Sequence, residues 1–426
     1  TSHNLLLVSS MNGRLRSLVL CLTALAVLAL MYTQILPIIQ ERLSPTPTIR
    51  TGHSSTNTVP AVRATARIQN NLILTVKRAS GETETIVKKG DPWTANLAKL
   101  ILNMLLGGHY GGTKQPFTYT DGSTGTIFDT ELLVYWNGAT YGNPSFAIGI
   151  GNGTAPFSVN DYALANEVML SDVPADYVSF NDNGTCYNIN VTQSFTVSSD
   201  INVTEVGLFI KVDSDPGNSN TQKYLLLARD VLDSPITLYA NDTISIQYVL
   251  YFPYGSQPFT KQFYGLLLNY FFCLRSLGTP ISFKCTDGTS TSRNDFANDY
   301  KTGTYSSGDV ATEHLYTWLG NGSSISWSFD NYTLLSKIGE SPSDTPFSLT
   351  YNSTHAILSV TITYSFTSPT TITEVGFVIK DIDIDSTIDH NRKSVLILYF
   401  VLDNPVYVES GGTFKFKCEI VLPLAG

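Results

Sequence analysis

The sequence predicts a mainly β protein: an N-terminal transmembrane helix, then two tandem antiparallel, jelly-roll-like β-sandwich domains, each opened by one amphipathic helix. Three observations carry this expectation. They are a long uncharged apolar run near the N-terminus, an internal repeat, and many alternating apolar segments divided by Gly, Asn and Pro turns.

Ser17 to Gln40 contains no charged residue, and Leu18 to Leu30 is almost wholly apolar. As a helix at about 1.5 Å per residue, such a run matches a hydrocarbon layer of roughly 30 Å. Arg14 and Arg16 precede it, which places the short tail inside, although Arg42 offsets part of that bias. A cleaved signal peptide is the alternative, with an unusually long apolar stretch. Residues 1–43 are therefore expected to be tail and membrane helix, and the Pro/Ser/Thr-rich residues 44–60 an extended stalk.

Residues 61–90 then read as a β-hairpin, with Asn71 to Lys77 and Thr83 to Lys88 on either side of Ser80-Gly81. The second repeat has no evident counterpart. The hairpin is expected either to cover an edge locally or to be lent to a neighbouring subunit.

The two domains, residues 91–255 and 256–426, follow from the repeat. Thr204-Glu-Val-Gly-Leu-Phe-Ile210 returns at Thr373 to Ile379, an offset of 169. Val231-Leu-Asp-Ser-Pro235 returns at Val401 with an offset of 170, and Gly151-Asn-Gly153 at Gly320 with an offset of 169. Asp161-Tyr-Ala-Leu164 returns at Asn331 with an offset of 170, and Thr120-Asp-Gly122 at Thr286 with an offset of 166. Ordered matches at so constant an offset mark a duplication.

Each copy opens with a helical stripe. In the first, Asp91 reads as N-cap and Pro92 as the first helical residue. Leu97, Leu100, Ile101, Met104 and Leu105 form its apolar face, and Gly107-Gly108 ends it. In the second, Phe259, Phe263, Leu266, Leu267, Tyr270, Phe271 and Leu274 keep the same period. The remainder reads as strands, with Thr243 to Phe252, Ser359 to Phe366 and Thr413 to Leu422 the clearest.

Apolar residues make up 42% and charged residues only 14% of the 426, which excludes a disordered chain. A net charge of −9 argues against a nucleic-acid partner, which would require a basic face. Of five cysteines, Cys21 lies in the membrane run, leaving Cys186, Cys273, Cys285 and Cys418. The repeat aligns Cys285 with Tyr119 and Cys418 with Tyr248. If those positions are neighbours, a Cys285–Cys418 bridge follows, with Cys186–Cys273 joining the domains; buried free thiols are the alternative. Sequons begin at Asn152, Asn183, Asn190, Asn202, Asn241, Asn321, Asn331 and Asn352, all candidates for glycosylation.

Motifs of catalysis are sparse. The six histidines are scattered, with no H-E-x-x-H and no G-x-S-x-G. Gly149 to Gly153 is glycine-rich but lacks the Lys-Ser/Thr of a phosphate loop. Glu205 and Glu374 recur in the same motif and are expected each to pin a turn in its own copy. Asp381, Asp383, Asp385 and Asp389 are the candidate cation ligands, with Ca²⁺ the ion that suits them; a solvated acidic hairpin tip is the alternative. The expectation is a chain without enzymatic activity and without a cofactor beyond that Ca²⁺.

The paired Thr-Glu-Val-Gly motif, with the Leu-rich strand and Val-Leu-Asp-Ser/Asn-Pro that follow it, resembles β-rich structural proteins of viruses of thermophilic archaea and bacteria. Turret and spike subunits with double sandwiches are the nearest likeness. The resemblance spans both repeats and concerns fold, not activity. It implies a membrane-anchored virion surface protein for assembly or host attachment. Its partners would be a lipid membrane, further copies, other virion or surface proteins, and a host receptor or glycan. Residues 44–426 would be extracellular, on a virion or a cell. The alternative is a host glycoprotein that builds a pilus or thread by donor-strand exchange.

Overall fold

The computed structural model describes residues 61–65, 68–90, 93–105, 116–125, 146–184, 186–213, 222–253, 259–272, 282–291, 314–323, 327–328, 330–341, 347–383 and 392–424. All of them belong to one compact unit, Ile49–Gly426.

The chain enters through β1 (Ala61–Thr65), β2 (Gln69–Lys77) and β3 (Thr83–Lys89). The first repeat then runs α1 (Ala95–Leu105), β4 (Phe117–Thr118), β5 (Thr124–Gly125), β6 (Phe146–Gly151), β7 (Glu167–Asp172), β8 (Val178–Asp182), β9 (Cys186–Thr196), β10 (Ile201–Asp213), β11 (Gln222–Leu238) and β12 (Thr243–Pro253). The second runs α2 (Lys261–Phe272), β13 (Phe283–Lys284), β14 (Ser290–Thr291), β15 (His314–Gly320), β16 (Lys337–Glu340), β17 (Ser348–Tyr351), β18 (His355–Ser365), β19 (Thr370–Asp383), β20 (Arg392–Val408) and β21 (Thr413–Pro423).

The two repeats have matching sheets. One sheet of the first repeat is ordered β11-β10-β6-β7, and its second-repeat counterpart is β20-β19-β15-β16. The facing sheets are β3-β2-β12-β9-β8 and β1-β21-β18-β17. Alternation explains the inner faces. Leu72, Leu74 and Val76 point inward from β2, Ile244, Ile246, Tyr248 and Leu250 from β12, and Phe414, Phe416, Cys418 and Ile420 from β21. Between the sheets of the second repeat, the Phe416 ring lies 5.5 Å from Phe400 and 6.3 Å from Phe377. Burial of such a side chain contributes roughly 1.5–3 kcal/mol.

Residues 61–90 divide between the repeats. The β2–β3 hairpin extends the first repeat's sheet, with β2 antiparallel to β12 and a turn in which Gly81 has φ of 95°. Strand β1 instead pairs with β21, in register from Ala61↔Lys417 to Thr65↔Val421. It is the only parallel pairing among the described strands. The N-terminal segment thus covers an edge of each repeat within its own chain.

Both helices dock in the same way. Trp93 bridges Ala228, and Phe259 bridges Leu398. The Thr94 hydroxyl donates to the Leu226 carbonyl at 2.6 Å, and the Thr260 hydroxyl to the Leu396 carbonyl at 2.8 Å. Thr260 also caps α2 by accepting from the Phe263 N–H at 3.2 Å. The first helix therefore begins at Ala95 behind Thr94, later than Asp91 and Pro92 suggested; those two lie outside the described residues. Leu97, Leu100 and Ile101 of α1 line one apolar cleft with Phe252 and Leu267. Leu97 and Ile101 also line a second cleft with Leu422 and Leu424 of the second repeat, and one apolar cluster runs through both repeats.

The fold class is corrected in one respect. It is mainly β, and no helix among the described residues is long and apolar enough to cross a membrane. The helices α1 and α2 have 11 and 12 residues, against about 20 for a span. The expected span at residues 17–40, with Cys21, lies outside the described residues, so the fold carries no assigned transmembrane helix.

Candidate functional site

The repeated motifs converge on one buried glutamate in each copy. Glu205, fully buried on β10, accepts from the N–H groups of Gly153 at 3.0 Å, Ala165 at 3.0 Å and Asn166 at 2.9 Å. Glu374 on β19 accepts from Leu335 N–H at 3.2 Å and Ser336 N–H at 3.1 Å. Glu205 locks both the Gly-Asn-Gly turn and the end of the Asp161 loop onto the central strand; Glu374 holds the end of the Asn331 loop, while the Thr373 hydroxyl reaches the carbonyls of Gly320 and Gly322 in the turn. Glycine is required beside them for space. A Cβ on Gly151 would stand 2.6 Å from both Glu205 Oε1 and the Asn166 carbonyl, and one on Gly320 would overlap Glu374 Oε1.

The side-chain partner differs between copies. In the first, Arg229 donates from Nε to Glu205 at 2.7 Å and from a terminal nitrogen to Asp161 at 2.7 Å. Its remaining donors reach the carbonyls of Ala155 at 2.8 Å and Pro156 at 3.2 Å. In the second, Tyr399 occupies the place of Arg229 and Asn331 that of Asp161, and the Tyr399 hydroxyl donates to Glu374 at 2.7 Å. Burial pushes the Glu205 carboxyl up, but the N–H donors of Asn166 and Ala165, with Arg229, outweigh it and hold the group below the ordinary carboxylate range. A second exchange accompanies the first. The Tyr248 hydroxyl donates to buried Asp230 at 2.8 Å, whereas the second repeat has Cys418 and Phe400 at these positions.

The Thr-Asp-Gly motif makes a turn with the same partners twice. Asp121 accepts from Ser123 N–H at 2.9 Å and pairs with Lys223 at 2.6 Å, while Gly122 has φ of 79° beneath the Tyr162 ring. Asp287 accepts from Thr289 N–H at 2.9 Å and pairs with Lys393 at 2.7 Å, while Gly288 has φ of 85° beneath Tyr332. Lys223 and Ser123 lower the first carboxyl to about 2, and Lys393 and Thr289 lower the second to about 2.

Of the cysteines, Cys186, Cys285 and Cys418 are buried free thiols, and Cys273 lies outside the described residues. The expected Cys285–Cys418 bridge is not formed, and Cys186 is unpaired. The reason lies in the repeat. Thr286, beside Cys285, donates to the Ser394 carbonyl, whereas Phe416, beside Cys418, packs on Phe400. Six residues along β20 amount to roughly 20 Å, and a disulfide needs Cα atoms within about 7 Å. Two positions that are both Tyr in the first copy are thus not neighbours.

Asp381 and Asp383 fall on the end of β19, while Asp385 and Asp389 lie outside the described residues. Among the described residues no group of three or more His, Cys, Asp or Glu side chains is placed to hold a metal ion. The sequons spread over both repeats. Asn152, Asn183, Asn202, Asn241, Asn321 and Asn352 are exposed, whereas Asn190 and Asn331 are half-buried.

Arg229, Asp230 and the Arg78–Asp242 ion pair left no signal in the sequence because each is present in only one copy, and Tyr248 showed only as the counterpart of Cys418. Asp161 was visible as part of a repeated motif, though its partner was not. Compared with known proteins, the chain matches no family, no curated protein and no solved structure.

Proposed function

We propose that the chain is a non-enzymatic structural protein displayed at a surface, most closely a virion spike, turret or vertex subunit that serves assembly or host attachment. The observation that carries this reading is the placement of the recurring polar residues. The glutamate of each copy accepts from backbone N–H groups in its own repeat and lies sealed in the core. Residues repeated for turnover would face an accessible cleft with acid and base groups converging. Residues repeated for shape would hold turns, as these do. The duplication itself supports display, because two like bodies double the outer surface for contact.

A host filament joined by donated strands is the second reading, and β1 favours it. A five-residue strand that pairs in parallel with the last strand is an element that one copy can give to another.

Electron micrographs of the native particle, with antibody against residues 146–253, test the proposal. Label on spikes or vertices of a virion supports it. Label along continuous filaments establishes the second reading instead, and label confined to the cell interior overturns both.

A further inference from the structure

The turn between β17 and β18 carries Asn352-Ser-Thr354 followed by His355. The Asn352 side-chain oxygen accepts from Thr354 N–H at 2.9 Å, from the Thr354 hydroxyl at 2.9 Å and from His355 N–H at 3.0 Å. The Thr354 hydroxyl oxygen lies 2.8 Å from His355 Nδ1, and Asn352 Nδ2 lies 3.5 Å from His355 Nε2. With the proton on Nδ1, these contacts close a ring: Nδ1–H donates to the Thr354 oxygen, the Thr354 O–H to the Asn352 oxygen, and the Asn352 Nδ2–H points at Nε2. Donors on the amide oxygen draw the nitrogen lone pair into the amide and so make the Nδ2–H more acidic, while Nε2 stands where it can accept that proton. The amide nitrogen, ordinarily a poor nucleophile, becomes one as it gives up the proton. Both Asn352 and Thr354 are exposed.

Asn183, the first-repeat counterpart, likewise accepts from the N–H three residues on, Cys186 at 2.8 Å, but has no imidazole there to close a ring; further sequons are engaged differently. The Thr204 hydroxyl of the Asn202 sequon donates to the Gly153 carbonyl, and the Thr243 hydroxyl of the Asn241 sequon pairs with Thr196. The side-chain oxygens of Asn152 and Asn321 accept from Asn166 and Ser336, on other loops. Asn190 donates to Ser179 from the middle of β9.

We propose that Asn352 is a glycan acceptor, preorganised by Thr354 and His355. The co-reactant is a glycosyl phosphate donor with its transferase. A bond forms between Nδ2 and the anomeric carbon, the bond from that carbon to the phosphate oxygen breaks, and the phosphate leaves with the electron pair. The proton lost from Nδ2 passes to a base. Thr354 and His355 are positioning residues. The proposal rests on the surface-display reading, since the acceptor must meet the transferase on the exported side.

Peptide mass spectrometry of the protein from its native source tests this. Sugar mass is expected on the Asn352 peptide and is expected to vanish in Asn352→Gln and Thr354→Ala but persist in Thr354→Ser. In His355→Ala, occupancy should fall about fivefold, the worth of one ordinary hydrogen bond, with Asn241 unaffected. Unchanged occupancy in His355→Ala overturns the role of the ring. A bare Asn352 with sugar at other sequons overturns the choice of site and leaves surface display standing. No sugar at any sequon overturns the proposal together with the exposure it assumes.

Discussion

Arg229 Nε stands 2.7 Å from Glu205 Oε2, and neither side chain reaches solvent. In the second repeat a neutral Tyr399 makes the equivalent contact with Glu374. Removing one member of a buried ion pair strands the other charge, whereas removing one member of a hydrogen bond to a neutral hydroxyl does not. Glu205→Gln, which leaves buried Arg229 with Asp161 as its one remaining carboxylate, should therefore cost about 3 kcal/mol, and Glu374→Gln about 1–2 kcal/mol. Urea unfolding of the two variants checks the order; equal losses would mean that Arg229 finds other compensation.

Acid should act through the carboxylates held low. Asp121 and Asp287 are lowered to about 2, mainly by Lys223 and Lys393, and Glu205 is also held below its ordinary value. A lowered native pKa contributes stability that is complete above the unfolded value, near 4, and is lost as pH falls through the native value. Melting temperature should thus stay level from pH 7 to about 5 and decline from there toward pH 2. Scanning calorimetry across this range would reveal the opposite sign as a rise in melting temperature on acidification.

Buried thiols predict indifference to reductant. Burial pushes the Cys285 thiol up to about 11 and raises Cys418 further, so neither forms a thiolate at neutral pH. Cys186 is raised as well, again chiefly by burial. In the native protein these three should resist a thiol-reactive dye and should label on unfolding. A melting temperature lowered by dithiothreitol would show that a disulfide supports the fold after all.

One carboxylate ties down the turn of the β2–β3 hairpin. Asp242 accepts from Arg78 at 2.9 Å, Ala79 N–H at 2.9 Å and Tyr239 N–H at 3.0 Å. The second repeat places Gly412 where Asp242 stands, and no such hairpin is found among its described residues. Asp242→Ala should release the turn and speed amide exchange in residues 78–89, leaving exchange in β21 unchanged. Uniform acceleration across both strands would place the anchor elsewhere.

The duplication, the mainly β class and the apolar stripe of α1 were legible because each is a local pattern repeated at a constant interval. Leu97, Leu100 and Ile101 are buried as their spacing requires. The partner of β1 was not legible. Ala61 to Thr65 is short and weakly patterned, and β21 lies at the other end of the described chain. The glutamate knots were half legible: the repeat marked Glu205 and Glu374, yet it hid Arg229 by aligning it with Tyr399. The disulfide inference failed because alignment compares positions between copies and carries no distance within one.

The most direct test of a duplicated fold made for contact is a cryo-electron microscopy map of the native particle at side-chain resolution. Two superposable sandwiches are expected on the outer surface, with Glu205 and Glu374 sealed against backbone N–H groups. Halves of unlike connectivity, or glutamates opening onto a solvent-filled cleft beside a basic group, would contradict it.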